Sequence, residues 1–153
     1  MFTIHSDAHF MQQALLQADL ADKQLEIPVG AVIVCENKII ARAYNQVEQL
    51  QDVTAHAEML AITAAQNYLS SKYLDQCTMY LTLEPCTMCA GALFWSQMGA
   101  LVIGARDSKR GFSLLKPAPL QPKTKVSFGM LEADCEAKIK DFFKKMRDKQ
   151  KER

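Results

Sequence analysis

Three side chains that bind zinc well stand in two short segments of this 153-residue chain. Thr54-Ala55-His56-Ala57-Glu58 supplies His56, and Glu84-Pro85-Cys86-Thr87-Met88-Cys89 supplies Cys86 and Cys89. Zinc held by three N/S protein ligands keeps a fourth position for water, an arrangement suited to catalysis rather than to stapling a fold. Water in such a position has its pKa lowered to roughly 7, so hydroxide becomes available near neutral pH. Glu58, two residues from the histidine, is then placed to take a proton from that water and pass it on.

Two other readings of these residues fit less well. A structural zinc site needs a fourth protein ligand, and His5, His9, Cys35, Cys77 and Cys135 are the candidates. Cys35 and Cys77 sit in apolar, strand-like runs, where a free cysteine behaves as a small hydrophobe. A redox pair made of Cys86 and Cys89 leaves His56 and Glu58 without a role. A non-catalytic zinc-binding domain has no use for Glu58.

The elements around these segments read as follows. Ser6 and Asp7 cap a helix to about Lys23, with Phe10, Ala14, Leu15, Ala18 and Ala21 at helical spacing. His5 and His9 are surface or capping residues at its start. Ile27–Cys35 is a buried strand with Pro28 at its beginning, and Glu36-Asn37 turns it into a returning strand, Lys38–Tyr44. Gly30 permits a close backbone approach, expected to be that of a substrate. Asn45 ends the second strand, and a polar loop, 46–53, leads to Thr54, expected to cap a helix from about His56 to Tyr68.

Cys77–Leu83 is a third strand. Glu84-Pro85 breaks it and opens a helix whose first turn carries Cys86 and Cys89 on one side, where the helix N-terminus favours thiolates. The apolar stretch Ala90–Trp95 is expected to bury against the sheet, with Gly91 allowing close helix packing. Ala100–Ala105 is a fourth strand, followed by the loop Arg106–Gly111. Prolines 117, 119 and 122 argue for an irregular segment, and Val126–Phe128 for a short edge strand. Glu132–Arg153 is a terminal helix with Ile139, Phe142, Phe143 and Met146 as its apolar stripe. Strands alternating with helices give a layered α/β domain, expected to be a single one over residues 1–153.

Composition sets outer bounds. A hydrophobic content of 49% with 23% charged residues is that of an ordinary globular chain. No apolar run reaches the roughly 18 residues of a membrane span. Met1–Asp7 lacks the basic and apolar segments of a secretory signal, and the odd cysteine count of five fits a reducing, cytoplasmic setting. The net charge is +1 overall, but residues 138–153 carry +5 and the rest −4. A basic C-terminal helix suits contact with nucleic acid, although a solvated helix end explains it equally well.

The pattern His-x-Glu followed by Pro-Cys-x-x-Cys is the signature of zinc-dependent cytidine and adenosine deaminases. Beyond it, the chain resembles the bacterial tRNA-specific adenosine deaminases over nearly its whole length. The likeness rests on Ile27-Pro28-Val29-Gly30-Ala31-Val32, Tyr44-Asn45, Thr54–Glu58, Leu81–Ala92, Gly104-Ala105-Arg106-Asp107 and Asp141-Phe142-Phe143. The resemblance implies a three-layer α/β/α cytidine-deaminase-like fold with a mixed five-stranded sheet, one zinc per subunit and a homodimer. It implies that Asn45 hydrogen-bonds the target nucleoside, that Ala57 offers its backbone to the base, that Val29 and Leu83 line the base pocket and that Asp107 contacts a neighbouring ribose. The implied reaction converts adenosine to inosine at the wobble position of a tRNA anticodon loop. Two features depart from that family. Gly111-Phe112-Ser113-Leu114-Leu115 and the proline run replace a Gly/Ser-rich stretch and a histidine-bearing segment, and Trp95 replaces a more usual polar residue. Trp95 resembles guanine deaminases, which makes a free nucleobase or nucleoside the alternative substrate. Otherwise Trp95 packs in the core or at a dimer interface.

Overall fold

The computed structural model describes residues 4–152. Met1, Phe2 and Thr3 at the start of the N-terminal reading, and Arg153 at the expected end of the last helix, lie outside them. Five strands form one mixed sheet in the order β2-β1-β3-β4-β5. They are β1 (Gly30–Cys35), β2 (Lys38–Tyr44), β3 (Cys77–Leu83), β4 (Ala100–Ala105) and β5 (Lys125–Phe128). β1 is antiparallel to β2 and to β3, whereas β3, β4 and β5 run parallel. The β1–β2 pairing shifts register between Ile33 and Val34.

Helices cover both faces, as the parallel half of the sheet requires. On one face α1 (Asp7–Lys23) and α5 (Glu132–Lys151) pack through Phe10, Met11, Ala14, Leu15 and Cys135 against Val32, Val34, Tyr80 and Val102. Lys138 with Asp19 and Lys145 with Asp22 tie α5 to α1 at the surface. On the other face α3 (Ala57–Leu69) and α4 (Thr87–Ser96) bury Ala57, Ala61, Ile62, Ala65, Ala90 and Leu93 against Ala31, Ile33, Met79, Leu81, Leu101 and Ile103. The result is the expected three-layer α/β/α arrangement. A one-turn helix, α2 (Val47–Leu50), interrupts the loop between β2 and α3.

Several local expectations need correction. Ser6 does cap α1, accepting from the His9 backbone N–H. Thr54, however, does not cap α3. Its N–H and hydroxyl both donate to Asp52 Oδ1, at 2.8 and 2.7 Å, and the N-cap is His56 itself, in extended conformation. β1 begins at Gly30, two residues past Pro28. A Cβ on Gly30 would collide with the Ala14 carbonyl and the Ala18 amide of α1, so the glycine admits a helix and not a substrate. Gly91 has open space where a Cβ would stand, so it serves no close packing among the described residues. Of the apolar run on α4, Ala90 and Leu93 are buried, but Trp95 is 77% exposed and touches Phe94 edge-on. It is not a core residue.

Candidate active site

β2, β3 and β4 end at the same edge of the sheet at which antiparallel β1 begins. The site therefore gathers the segments just after three strands and just before a fourth. At the carboxyl ends of sheet strands backbone polar groups are unpaired, and ligands bind there in open α/β sheets. Two helices start at this edge. His56 is the N-cap of α3 and Cys86 the N-cap of α4, so neither residue is bound by helical side-chain directions. Cys89, in the first turn of α4, is fully buried.

The three ligand atoms converge. His56 Nδ1 lies 3.5 Å from Cys89 Sγ and 3.7 Å from Cys86 Sγ. All three atoms fall within 4.8 Å of one another. A tetrahedral zinc with Zn–S of about 2.3 Å and Zn–N of about 2.0–2.1 Å separates its N and S donors by about 3.5 Å. The donor set and its spacing thus fit zinc. Among the described residues, none of His5, His9, Cys35, Cys77 or Cys135 joins the cluster. That removes the structural staple and leaves a coordination position free for water.

The electrostatics suit a deprotonated sulfur at Cys86. The hydrogen bonds from Cys89 and His56 hold the Cys86 thiol down at about 3, while Cys89, which keeps its proton toward Cys86 and is buried, is pushed up. The hydrogen bond to Cys86 raises His56. Glu58, in the first turn of α3, is buried, and burial pushes its carboxyl up to about 7. A carboxyl with that pKa can both accept and return a proton near neutral pH.

A cavity of about 960 Å³ opens above this floor. Beside His56, Ala57, Glu58 and Cys86, its lining includes Val29, Leu83, Asn45 and Asp107, so the structure brings every expected substrate residue to one space. Asn45 is buried. Its backbone N–H donates to the Val29 carbonyl and its Nδ2 to the Ile27 carbonyl, while Oδ1 has no partner among the described residues. A buried acceptor left unpaired is costly, so this oxygen is open to a donor that enters the cavity, water or ligand. Asp107 is already half committed: its Oδ1 accepts from the backbone N–H groups of Lys109 and Arg110, at 3.1 and 3.0 Å.

The rim is cationic. Arg106, Lys109 and Arg110 contribute from the loop after β4, and Lys140 and Arg147 from α5. Arg106 is held with its guanidinium 3.8 Å from the centre of the Phe128 ring. The helical spacing of apolar residues predicts Phe142 and Phe143 on one stripe. In the fold Phe142 is buried, whereas Phe143 is 41% exposed and lines the cavity. Adjacent helical residues point about 100° apart, and that geometry signals that one of the pair must face away from the core. Two further buried carboxylates hold backbone amides, with little in the local pattern to mark them. Glu26 accepts from the Glu48 and Gln49 amides at the start of α2, and Glu84 accepts from the Asp107 and Ser113 amides. Their only signal is a glutamate between apolar neighbours, Leu25 and Ile27 or Leu83 and Pro85, which demands a buried partner.

Comparison with known proteins agrees with this site. The cytidine and deoxycytidylate deaminase zinc-binding region matches residues 4–105. The chain belongs to this zinc-binding deaminase family and is similar to members called tRNA-specific adenosine deaminases. The one from Aquifex aeolicus is 43% identical over 92% of this chain and 95% of its own length. A tRNA:A34 deaminase, solved in a study of A-to-I editing at the wobble position of transfer RNA, superposes with a TM-score of 0.78. It is 37% identical over 85% of this chain and 98% of the other. Guanine deaminase from Bacillus subtilis gives a TM-score of 0.62 at 38% identity, over 64% of this chain and 63% of the other. Among the described residues, no helix is long and apolar enough to cross a membrane.

Proposed function

We propose that this chain hydrolytically deaminates adenosine to inosine at the wobble position of a tRNA anticodon loop, residues 1–153 acting as one domain. The observation that carries the reading is a deaminase floor beneath a cationic rim. His56, Cys86, Cys89 and Glu58 lie at the bottom of a cavity whose mouth holds five Arg and Lys side chains. The near full-length likeness to tRNA-specific adenosine deaminases supports the same substrate.

His56, Cys86 and Cys89 would hold one zinc per subunit, which when bound supplies a Lewis acid that acidifies water. Glu58 takes one proton of the attacking water and gives it to a purine ring nitrogen as C6 becomes tetrahedral, then moves the proton of the new C6 hydroxyl to the amino group, which leaves as ammonia. Its burial keeps the carboxyl basic enough to accept and acidic enough to donate. Ala57 is the first residue of α3, so its N–H has no intrahelical acceptor and is free to hold the base. The unpaired Asn45 Oδ1 accepts from the nucleoside. Val29 and Leu83 supply apolar walls to the unstacked base. Asp107, through the oxygen its own loop does not use, contacts a neighbouring ribose. The target must leave its stack, which unpaired loop nucleotides do at low cost.

Family likeness and the exposed Trp95 on α4 support a homodimer, and the reaction belongs in the cytoplasm, where tRNA is used. Sedimentation of wild type against Trp95→Ala tests the dimer: the variant should dissociate more readily. The free-nucleobase reading leaned on Trp95, but that ring stands outside the cavity lining. The decisive assay incubates zinc-loaded protein with an adenosine-bearing anticodon stem-loop and, separately, with free guanine, cytosine and adenosine. Inosine from the stem-loop is the expected product. Turnover of a free base alone would replace this reading with the small-molecule one.

A further inference from the structure

Glu84 stands between the base-pocket residue Leu83 and the metal-site proline and cysteine, and its side chain is 3% exposed. Both carboxylate oxygens are spent on backbone. Oε1 accepts from the Asp107 N–H at 3.0 Å and Oε2 from the Ser113 N–H at 2.9 Å. These amides mark the two ends of the loop that carries Lys109 and Arg110. Main-chain bonds reinforce the clamp, from Glu84 N–H to the Ala105 carbonyl and from Phe112 N–H to the Pro85 carbonyl, each at 2.9 Å. Within the loop, Asp107 Oδ1 accepts from Lys109 and Arg110, and the Gly111 N–H donates to the Asp107 carbonyl. Gly111 packs on the clamp itself: a Cβ there would collide with the Glu84 carboxylate.

Resting on the functional reading above, we propose that Glu84 is a positioning residue for RNA: its carboxylate fixes the 107–113 loop so that Asp107, Lys109 and Arg110 meet the substrate backbone. The physical argument is one of preorganisation. A flexible loop bearing two cations would lose conformational freedom on binding, and each ordered residue costs affinity. A charged acceptor that takes two N–H bonds in a buried site removes that freedom in advance. The same side chain leads directly into the strand-to-helix turn that presents Cys86, so the loop that grips RNA is registered against the metal segment.

The test uses zinc-loaded full-length protein and an adenosine-bearing anticodon stem-loop. Affinity is measured across a range of salt in a Glu58→Ala background, so that the RNA is not consumed, and kcat and KM are measured in the active enzyme. Glu84→Gln keeps the shape but replaces one acceptor with a donor facing an N–H group. It should weaken binding about tenfold and lower the slope of log Kd against log salt by about 0.7–1.4, equivalent to one or two phosphate contacts. KM should rise while kcat at saturating RNA stays within about threefold, as expected when uniform binding is lost. A residue that only stabilises the fold would not move the salt slope. Gly111→Ala, which leaves Glu84 intact and pushes the loop off it, should produce the same changes, and the double variant should be no worse than the stronger single one. Wild-type affinity and slope in Glu84→Gln overturn the proposal. If Glu84→Gln fails to fold or to hold zinc, Gly111→Ala decides by the same two readouts. A wild-type enzyme that neither binds nor deaminates the stem-loop overturns the functional reading and this proposal with it.

Discussion

The floor of the cavity comes from two helix starts, at 56–58 and 86–89, whereas its rim comes from residues 106–110 and the α5 residues Ile139, Lys140, Phe143 and Arg147. On the floor each side chain acts directly, and residues two or three apart in sequence suffice to aim it. On the rim position is borrowed: a buried glutamate holds the loop, an aromatic ring holds Arg106, and ion pairs to α1 hold α5. The difference teaches where chemistry ends and substrate choice begins. The floor cannot distinguish a nucleotide in RNA from a free base, because both present the same ring to Glu58 and the ligands. In the proposed function, recognition of the groups that RNA has and a base lacks falls to the rim.

The division is testable by substitution, and the largest effect should fall on the floor. His56→Ala or Cys86→Ala should release the zinc and take activity on every substrate to background, with metal content read by elemental analysis. Zinc affinity of the wild type should fall as pH is lowered, because the raised His56 must lose its proton to bind metal and Cys89 must release one. Glu58→Ala should retain zinc and lose about 10²–10⁴ in kcat under single-turnover conditions. Activity surviving that change would remove the proton shuttle from the floor.

Rim substitutions should act more weakly and on RNA alone. Asp107→Ala removes the acceptor for two backbone amides together with the proposed ribose contact, and should weaken stem-loop binding by roughly 1–3 kcal/mol, leaving any turnover of free adenosine unchanged. Equal losses on RNA and adenosine would dissolve the boundary between floor and rim. Arg147→Ala should cost least, a few-fold in affinity with a shallower salt slope by about 0.7. No change in slope would take α5 out of the RNA-binding surface.

Much of the frame was legible because its signals are local. Lys38–Tyr44, Cys77–Leu83 and Ala100–Ala105 are the strands that alternation and apolar runs predict. The edge strand Lys125–Phe128 and the helix starting at Glu132 also stand where expected. The misreadings share one cause, which is that the deciding partner is remote. Gly30 and Gly91 look alike in sequence, yet one abuts the backbone of α1 and the other faces open space. Thr54 has the right chemistry for a cap, but Asp52 takes its hydroxyl first. Trp95 ends an apolar run whose inward positions, Ala90 and Leu93, are spaced three apart, so the ring turns outward.

By itself the amino-acid sequence determined the reaction centre: zinc's preference for His and Cys donors and a nearby carboxylate's proton chemistry are properties of residue types at short spacing. It determined the layered α/β class for the same reason, since periodicity is a local consequence of backbone geometry. The tertiary structure alone decided the rest. It left Asn45 Oδ1 buried without a partner among the described residues, set Glu84 beneath the 107–113 loop, and turned Phe143 rather than Phe142 toward the cavity. Burial and hydrogen-bond partners are created when distant segments pack, and no local pattern encodes which segments those will be.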